Sequence, residues 1–300
     1  MEDEHAHVRE DRPEGAIVFG AAVDRLTGQQ TRIDERNAEF WNELCGSSLA
    51  RSLGIETVDP EALRRFDAAY MDYYPYLWRY LELERVRDAP VLEIGLGFGT
   101  VGALLAGAGA VYHGVDIAPA PVAMMRQRLA WAGLADASER IIQASALALP
   151  FEDATFERVY SIGCLHHTGD LERAVDEVHR VIAPGGRAVI MLYNRRSLRQ
   201  AMHGLRARFA RRKAGGESLA ALYDTNLAGE AAPHTEYVSK AHVKRLFSKF
   251  EDVRIDVQNF DPLLLFRLVE VPRARFLGNV ARVVGLDLYV VAGKSHPPRS

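Results

Sequence analysis

The chain is poor in the features that build several other kinds of protein. Only Cys45 and Cys164 occur among its 300 residues, which excludes a disulfide framework and any cysteine-based metal spacing, so no metal is expected. No run approaches the roughly eighteen consecutive apolar residues of a membrane-spanning helix. The first residues, Met1-Glu2-Asp3-Glu4-His5, are acidic and carry no apolar stretch. A secretory leader is therefore not expected, and a cytoplasmic setting is. Acidic and basic side chains nearly cancel, at a net charge of −3, which gives no basic domain of the kind that bulk nucleic-acid binding needs. Internal repeats and low-complexity tracts are absent. What remains is a chain with 48% hydrophobic residues, enough for a packed core in one large domain with an appendage or in two small ones.

The most informative stretch is Val91-Leu-Glu-Ile-Gly-Leu-Gly-Phe-Gly-Thr100. A β-rich run ends in Glu93, three glycines alternate (Gly95, Gly97, Gly99), and small apolar residues then open a helix. A strand feeding a glycine turn into a helix N-terminus begins the nucleotide-binding half of a doubly wound sheet. The spacing is not the Gly-x-Gly-x-x-Gly that presents amides to a diphosphate. About twenty residues on, Tyr112-His-Gly-Val-Asp116-Ile117 reads as a second strand ending in a carboxylate able to accept both ribose hydroxyls. Glu93 suits a cationic amino group and would be poor company for phosphates. A cofactor with adenosine, a cationic centre and an amino acid fits these residues better than a dinucleotide.

Together these segments resemble class I S-adenosylmethionine-dependent methyltransferases with a type 11-like domain. Further segments match in the same order. Ala144-Ser-Ala-Leu-Ala-Leu-Pro-Phe151 stands where the family has an acidic loop beside the adenine, and Phe156 to His167 resembles the fourth strand with its following loop. Arg180 to Gly186 resembles the turn before the fifth strand, Arg187 to Tyr193 that strand, and Leu286 to Ala292 the last one. The resemblance implies S-adenosyl-L-methionine as cofactor, with Glu93, Gly95, Gly97, Gly99, Thr100, Asp116, Ile117, Ser145, Ala146, Leu147 and Ser161 around it. Many relatives carry Asp at the position of Ser145, whose neutral hydroxyl is a weaker acceptor for the adenine amino group.

The fold expected is α/β: a doubly wound, mostly parallel, seven-stranded Rossmann-like sheet with an N-terminal helical cap and an insert after strand five. Residues 1–33 are expected to be a mobile tail with a short strand at Ala16–Phe19. Residues 34–85 are expected to form an aromatic-rich cap with helices over Ala38–Leu53 and Pro60–Tyr80. Residues 86–195 and 238–294 would make the cofactor-binding domain, with a helix over Leu171–Ile182, another over Ser239–Phe250 and a strand over Asp252–Phe260. Residues 196–237 would be an insert acting as a lid. Leu198, Met202, Leu205 and Phe209 recur at helical spacing among arginines in 197–213, a pattern that either packs on the domain or lies on an anionic membrane surface. Arg273–Arg282 is a second basic amphipathic stretch.

His166 and His167, on the loop after the fourth strand, are the candidates for a general base, needed only when the acceptor is a hydroxyl or a protonated amine. The competing reading is that the pair shapes the loop. Cys164 reads as a small buried apolar residue. The aromatic cap and the polar loop Tyr223–Tyr237 are expected to form the acceptor pocket, with Tyr70, Tyr73, Tyr74, Tyr193, His234 and Tyr237 as its candidates. The resulting function is methyl transfer to an O or N atom of a small-molecule, sugar, quinone or lipid acceptor. An NAD-dependent oxidoreductase and a non-catalytic S-adenosylmethionine-binding protein remain alternatives.

Overall fold

A computed structural model describes residues 28–43, 47–210, 223–261, 263–265 and 269–296. Nine strands occur among them: β1 Pro90–Ile94, β2 Val111–Asp116, β3 Ile141–Gln143, β4 Phe156–Ile162, β5 Ile182–Tyr193, β6 Glu251–Gln258, β7 Leu263–Leu265, β8 Val269–Val271 and β9 Asp287–Gly293. Seven form one sheet in the order β3-β2-β1-β4-β5-β9-β6, and β7 pairs with β8 as a separate hairpin. Neighbours β1 to β5 pair in parallel, and β9 runs antiparallel to both β5 and β6. The doubly wound α/β architecture is thus as expected. Strand order reverses between β1 and β4, which places the ligand crevice beyond the carboxyl ends of those strands.

The central strands are short apolar runs buried on both faces, as a covered parallel sheet requires. Two large apolar clusters fill those faces, one around Leu92, Val159, Ile190 and Val290, the other around Val91, Tyr112, Tyr160 and Tyr289. The helices α1 Gly28–Phe40, α2 Ser48–Ser52, α3 Pro60–Tyr73 and α4 Trp78–Leu81 precede the sheet. Between or after its strands come α5 Thr100–Gly107, α6 Pro119–Trp131, α7 Leu171–Val181, α8 Leu198–Ala210, α9 Lys240–Leu246, α10 Ala274–Leu277 and α11 Ala281–Val284.

Several expectations need correcting. The strand at Ala16–Phe19 lies outside the described residues, and α1 already starts at Gly28, inside the expected tail. The helix expected over Ala38–Leu53 does not form as one piece. After Phe40 the chain turns so that Asn42 Oδ1 accepts the Ala120 N–H at 2.8 Å, capping α6 instead of extending α1. Likewise α3 stops at Tyr73 because Pro75 follows. Tyr74 leaves the helical region (φ −118°, ψ 60°), which a residue before proline avoids. The turn expected over Arg180–Gly186 is instead the end of α7 followed by an irregular start of β5, whose register against β4 slips between Phe156 and Arg158. The shorter α9 begins where the Ser239 side chain accepts the His242 N–H.

In α8, Leu198 is half-buried, whereas Met202 and Leu205 are 39% and 56% exposed. The expected apolar stripe is therefore not packed on the domain at these positions. No described helix is long and apolar enough to cross a membrane.

Cap and sheet are joined by specific contacts. Tyr80 stacks on Tyr289 of β9 at 4.5 Å and 17°, and the Arg79 guanidinium bonds Asp256 of β6 at 2.9 Å. Phe66 of α3 stacks on Phe98 of the glycine loop at 4.0 Å. These contacts seat the cap over the carboxyl edge of the sheet.

Candidate functional site

Beyond the ends of β1, β2 and β4 lies a cavity of about 290 Å³. Gly97 lines it with φ 50°, a left-handed backbone, and a Cβ there would meet no protein atom within 4 Å. Glycine is required for the turn and keeps that side of the cavity free for a ligand's close approach. Gly102 in α5 has a different reason. Its absent Cβ would collide with the Tyr112 hydroxyl and lie 2.7 Å from Glu93 Oε2. The space left lets the Tyr112 O–H donate to Glu93 Oε2 at 2.5 Å. Glu93 is 3% exposed and lines the cavity. Burial dominates its electrostatics and raises the carboxyl from 4.5 to about 8, despite the bond from Tyr112.

Asp116 ends β2 on the same cavity. Its Oδ2 accepts the Leu96 N–H at 2.7 Å and its Oδ1 the Ala118 N–H at 2.9 Å, so both oxygens are fixed in place. Burial raises its pKa and these amides oppose the rise. Gly95, Thr100, Ile117, Ser145 and Ala146 line the cavity too. The Thr100 hydroxyl donates to Asp67 Oδ1 at 2.7 Å, and Arg128 clamps both oxygens of Asp67 at 2.9 and 2.8 Å. That clamp ties α3 of the cap to α5 and α6.

Helix α1 closes the cavity from the cap side, which sequence reasoning missed. Asp34 and Asn37 line the cavity at 5% and 3% exposure. Gln30 Nε2 donates to Asp34 Oδ1 at 2.8 Å and Asn37 Nδ2 donates to the His167 carbonyl at 2.7 Å. Asp34 Oδ2 and Asn37 Oδ1 are left buried with no protein partner. Burial raises the Asp34 pKa, and hydrogen bonds from Gln30 and Ser145 oppose that. Ser145, at the place where the family's acidic loop was expected, is thus beside a carboxylate supplied by another segment.

Four residues expected around the cofactor or as its base do not face the cavity. Gly99 sits behind the loop as the N-cap of α5. Leu147 is in the core, where its carbonyl accepts from Arg173. Ser161 is fully buried, its hydroxyl donating to the Ile94 carbonyl at 2.9 Å to brace β4 against β1. His166 is fully buried with neither ring nitrogen partnered, and its ring lies 4.1 Å from that of Tyr193. Burial depresses its pKa well below the usual value, so a neutral ring packs there and is not placed to act as a base.

A second cavity of about 370 Å³ adjoins the first; Ser47, Phe66 and Tyr70 line both. Of the expected acceptor residues it contains Tyr70, Tyr73, Tyr74 and Tyr193. His234 and Tyr237 are not among its lining residues. The His234 carbonyl instead lies 2.8 Å from His167 Nδ1, and Tyr237 stacks behind Tyr193 at 6.1 Å. The cavity also holds Arg199, Tyr223, Asp224, Asn259 and Asp287, none of which the sequence singled out as a site residue. Tyr193 O–H donates to both Asp224 oxygens, at 3.1 and 3.0 Å.

His167 lines the first cavity, and Asp224 the second. The carbonyl at Nδ1 fixes the proton on that nitrogen and leaves Nε2 as the free base, 3.7 Å from Asp224 Oδ2. Burial lowers the pKa of His167 and raises that of Asp224. Cys164 lines the first cavity beside Gly95, and burial pushes its thiol up, so it stays protonated. No cluster of metal-ligating side chains occurs among the described residues.

Residues 92–190 match a family model described as a methyltransferase domain. The chain is 34% identical over 109 residues to a sterol 4-C-methyltransferase of Caenorhabditis elegans, covering 36% of this chain and 32% of that protein. It is 33% identical over 168 residues to a malonyl-[acyl-carrier protein] O-methyltransferase of Halorhodospira halophila, covering 52% and 54% respectively. The chain thus spans between a third and about half the length of these curated relatives. Among solved structures, the magnesium protoporphyrin IX methyltransferase of Synechocystis, with S-adenosylhomocysteine bound, superposes with a TM-score of 0.51 at 12% identity, covering 89% of this chain and 99% of that one.

Proposed function

We propose that this chain, whose residues 92–190 match a methyltransferase domain, is a class I S-adenosylmethionine-dependent methyltransferase that transfers a methyl group to an O or N atom of a small-molecule acceptor held in the second cavity. The observation that carries this reading is the junction of two cavities at Ser47, Phe66 and Tyr70, one lined by the glycine loop and the other by tyrosines and carboxylates.

The first cavity fits the cofactor in three places. Glu93 offers a buried carboxylate for its ammonium group, and Asp116 keeps lone pairs beyond its two amide bonds for ribose hydroxyls. Asp34 Oδ2 and Asn37 Oδ1 are buried acceptors without protein partners, suited to an exocyclic amino group with two N–H donors. When bound, S-adenosylmethionine supplies an electrophilic methyl group on a sulfonium. Phe66 and Tyr70 then form the walls that hold donor and acceptor in line, and burial excludes water from between them. His167 Nε2 and Asp224, facing one another across the junction, receive a proton where the acceptor must lose one.

Equilibrium binding to the full chain tests the reading. S-adenosylhomocysteine should bind and NAD should not, and labelled S-adenosylmethionine should yield S-adenosylhomocysteine only when an acceptor is added. Binding of NAD without S-adenosylhomocysteine would favour an oxidoreductase. Cofactor binding with no turnover on any cell extract would favour a non-catalytic binding protein.

A further inference from the structure

Resting on that reading, we infer that the second cavity selects a cationic amine, held by Asp224 and Asp287 within a cage of tyrosines, so that the methyl acceptor is a nitrogen. Asp287 opens β9 opposite Tyr193 of β5, at the carboxyl edge of the sheet. It is 1% exposed and lines the cavity, and its Oδ2 has no partner. An acidic residue in an otherwise apolar buried strand is costly unless something compensates its charge. Among the described residues, neither Asp224 nor Asp287 forms an ion pair with Arg or Lys. Among the described residues lining the cavity the one basic side chain, Arg199, pairs with Asp261 through two nitrogens. Among the described lining residues the carboxylates Asp224 and Asp287 outnumber the basic side chain, and a ligand cation would correct that excess.

The aromatic lining points the same way. Tyr70 and Tyr74 lie 4.9 Å apart, as do Tyr73 and Tyr74, while Tyr193 and Tyr223 are 4.7 Å apart. The protein already sets cations on three of these rings: Arg273 lies 3.7 Å over Tyr73 and 5.8 Å over Tyr74, and Arg199 lies 4.4 Å over Tyr223. The remaining tyrosines, Tyr70 and Tyr193, line the cavity too, Tyr70 where it meets the first cavity. Ring faces attract an ammonium electrostatically, most strongly where water is excluded.

In the reaction, a bound R–NH3+ gives one proton to a carboxylate of the cavity. The freed nitrogen pair forms a bond to the methyl carbon as the carbon–sulfur pair returns to sulfur. The product leaves as R–NH2+–CH3, still a cation, and the proton passes to solvent.

Choline and its neutral isostere 3,3-dimethyl-1-butanol separate charge from shape, and choline's quaternary nitrogen cannot itself be methylated. Each is titrated by tyrosine fluorescence into the full chain at pH 8 with S-adenosylhomocysteine present. Choline should bind about tenfold or more tightly than the isostere. Asp287→Asn and Asp224→Asn should each reduce that preference severalfold while S-adenosylhomocysteine still binds. That retained binding also certifies that the variants fold. Equal binding of the two probes, or a preference unchanged in both variants, would overturn the inference while leaving the methyltransferase reading intact. Failure of the unaltered protein to bind S-adenosylhomocysteine would instead remove the reading on which the inference rests.

Discussion

Replacing Glu93 with glutamine isolates the proton that cofactor binding must move. The carboxyl lies at 3% exposure at the end of β1, and burial raises it to about 8. Near pH 7 about one molecule in ten therefore carries Glu93 ionised when the cavity is empty. An ammonium group placed against it stabilises the ionised form, so binding near pH 7 should release close to one proton and cost about 1.4 kcal/mol relative to binding above pH 8. The apparent affinity for S-adenosylhomocysteine should rise about tenfold per pH unit up to pH 7 and level off above 8. Calorimetry in buffers of different ionisation enthalpy reads the proton directly. In Glu93→Gln both the slope and the proton should vanish, and affinity at pH 8.5 should fall by roughly 1.5–3 kcal/mol, the usual size of a charge-assisted hydrogen bond. The same group fixes a stability trend. A raised carboxyl binds more protons folded than unfolded, so cofactor-free stability should decline as pH rises from 4.5 to about 8, and this decline should be shallower in the variant. Affinity for S-adenosylhomocysteine that is flat between pH 6 and 8 in the unaltered protein, with no proton released, would refute the reasoning.

Three further outcomes follow from named contacts. Asp34→Ala should weaken S-adenosylhomocysteine binding by roughly 1–3 kcal/mol and leave the affinity for S-inosylhomocysteine, which lacks the amino donor, nearly unchanged; equal losses for both ligands would show that α1 does not meet the adenine edge. Gly97→Ala places a side chain at φ 50° and should cost about 1–2 kcal/mol in a thermal unfolding assay, with a larger loss in cofactor affinity because its Cβ enters the cavity. Arg128→Met removes the clamp on Asp67 and should lower stability by about 2 kcal/mol, below the 3–5 kcal/mol of a fully buried pair, because Asp67 is 31% exposed. A loss under about 0.5 kcal/mol in denaturant unfolding would mean the cap is held to α5 and α6 by other contacts.

Where chemistry lies on one continuous segment, the sequence was informative. The strand, the glycine turn, Asp116 and the apolar runs are local patterns, and each maps to the expected element. Faces were harder to read than elements. Ser161 alternates along β4 as a site residue would, yet it turns toward Ile94, and which of two adjacent histidines meets the cavity depends on the 3₁₀ turn at Leu165–His167. Helix ends failed where a tertiary bond competed with local propensity, as with Asn42 capping α6. Asp287 had a signal that went unused, a carboxylate inside the apolar run Leu286–Ala292. Asp34 had none, since nothing in its own neighbourhood indicates that it will stand beside Ser145.

This difference follows from how the two cavities are built. The cofactor side is set mainly by residues 93–168, where neighbouring strand ends belong to consecutive βα units. Its partner cavity gathers side chains from α3, the end of β5, α8, the 223–237 loop and the start of β9, segments separated by up to about two hundred residues. A chain can therefore change its acceptor by altering the cap, the insert or the β9 entry without touching the glycine turn. Asp287 is the informative case. A buried carboxylate at that position does not help the sheet, because its charge must be desolvated without a basic partner. Its presence is accounted for once a cation occupies the cavity beside it, and the same cation suits the tyrosine rings that line the cavity alongside Leu49, Met191 and Leu286.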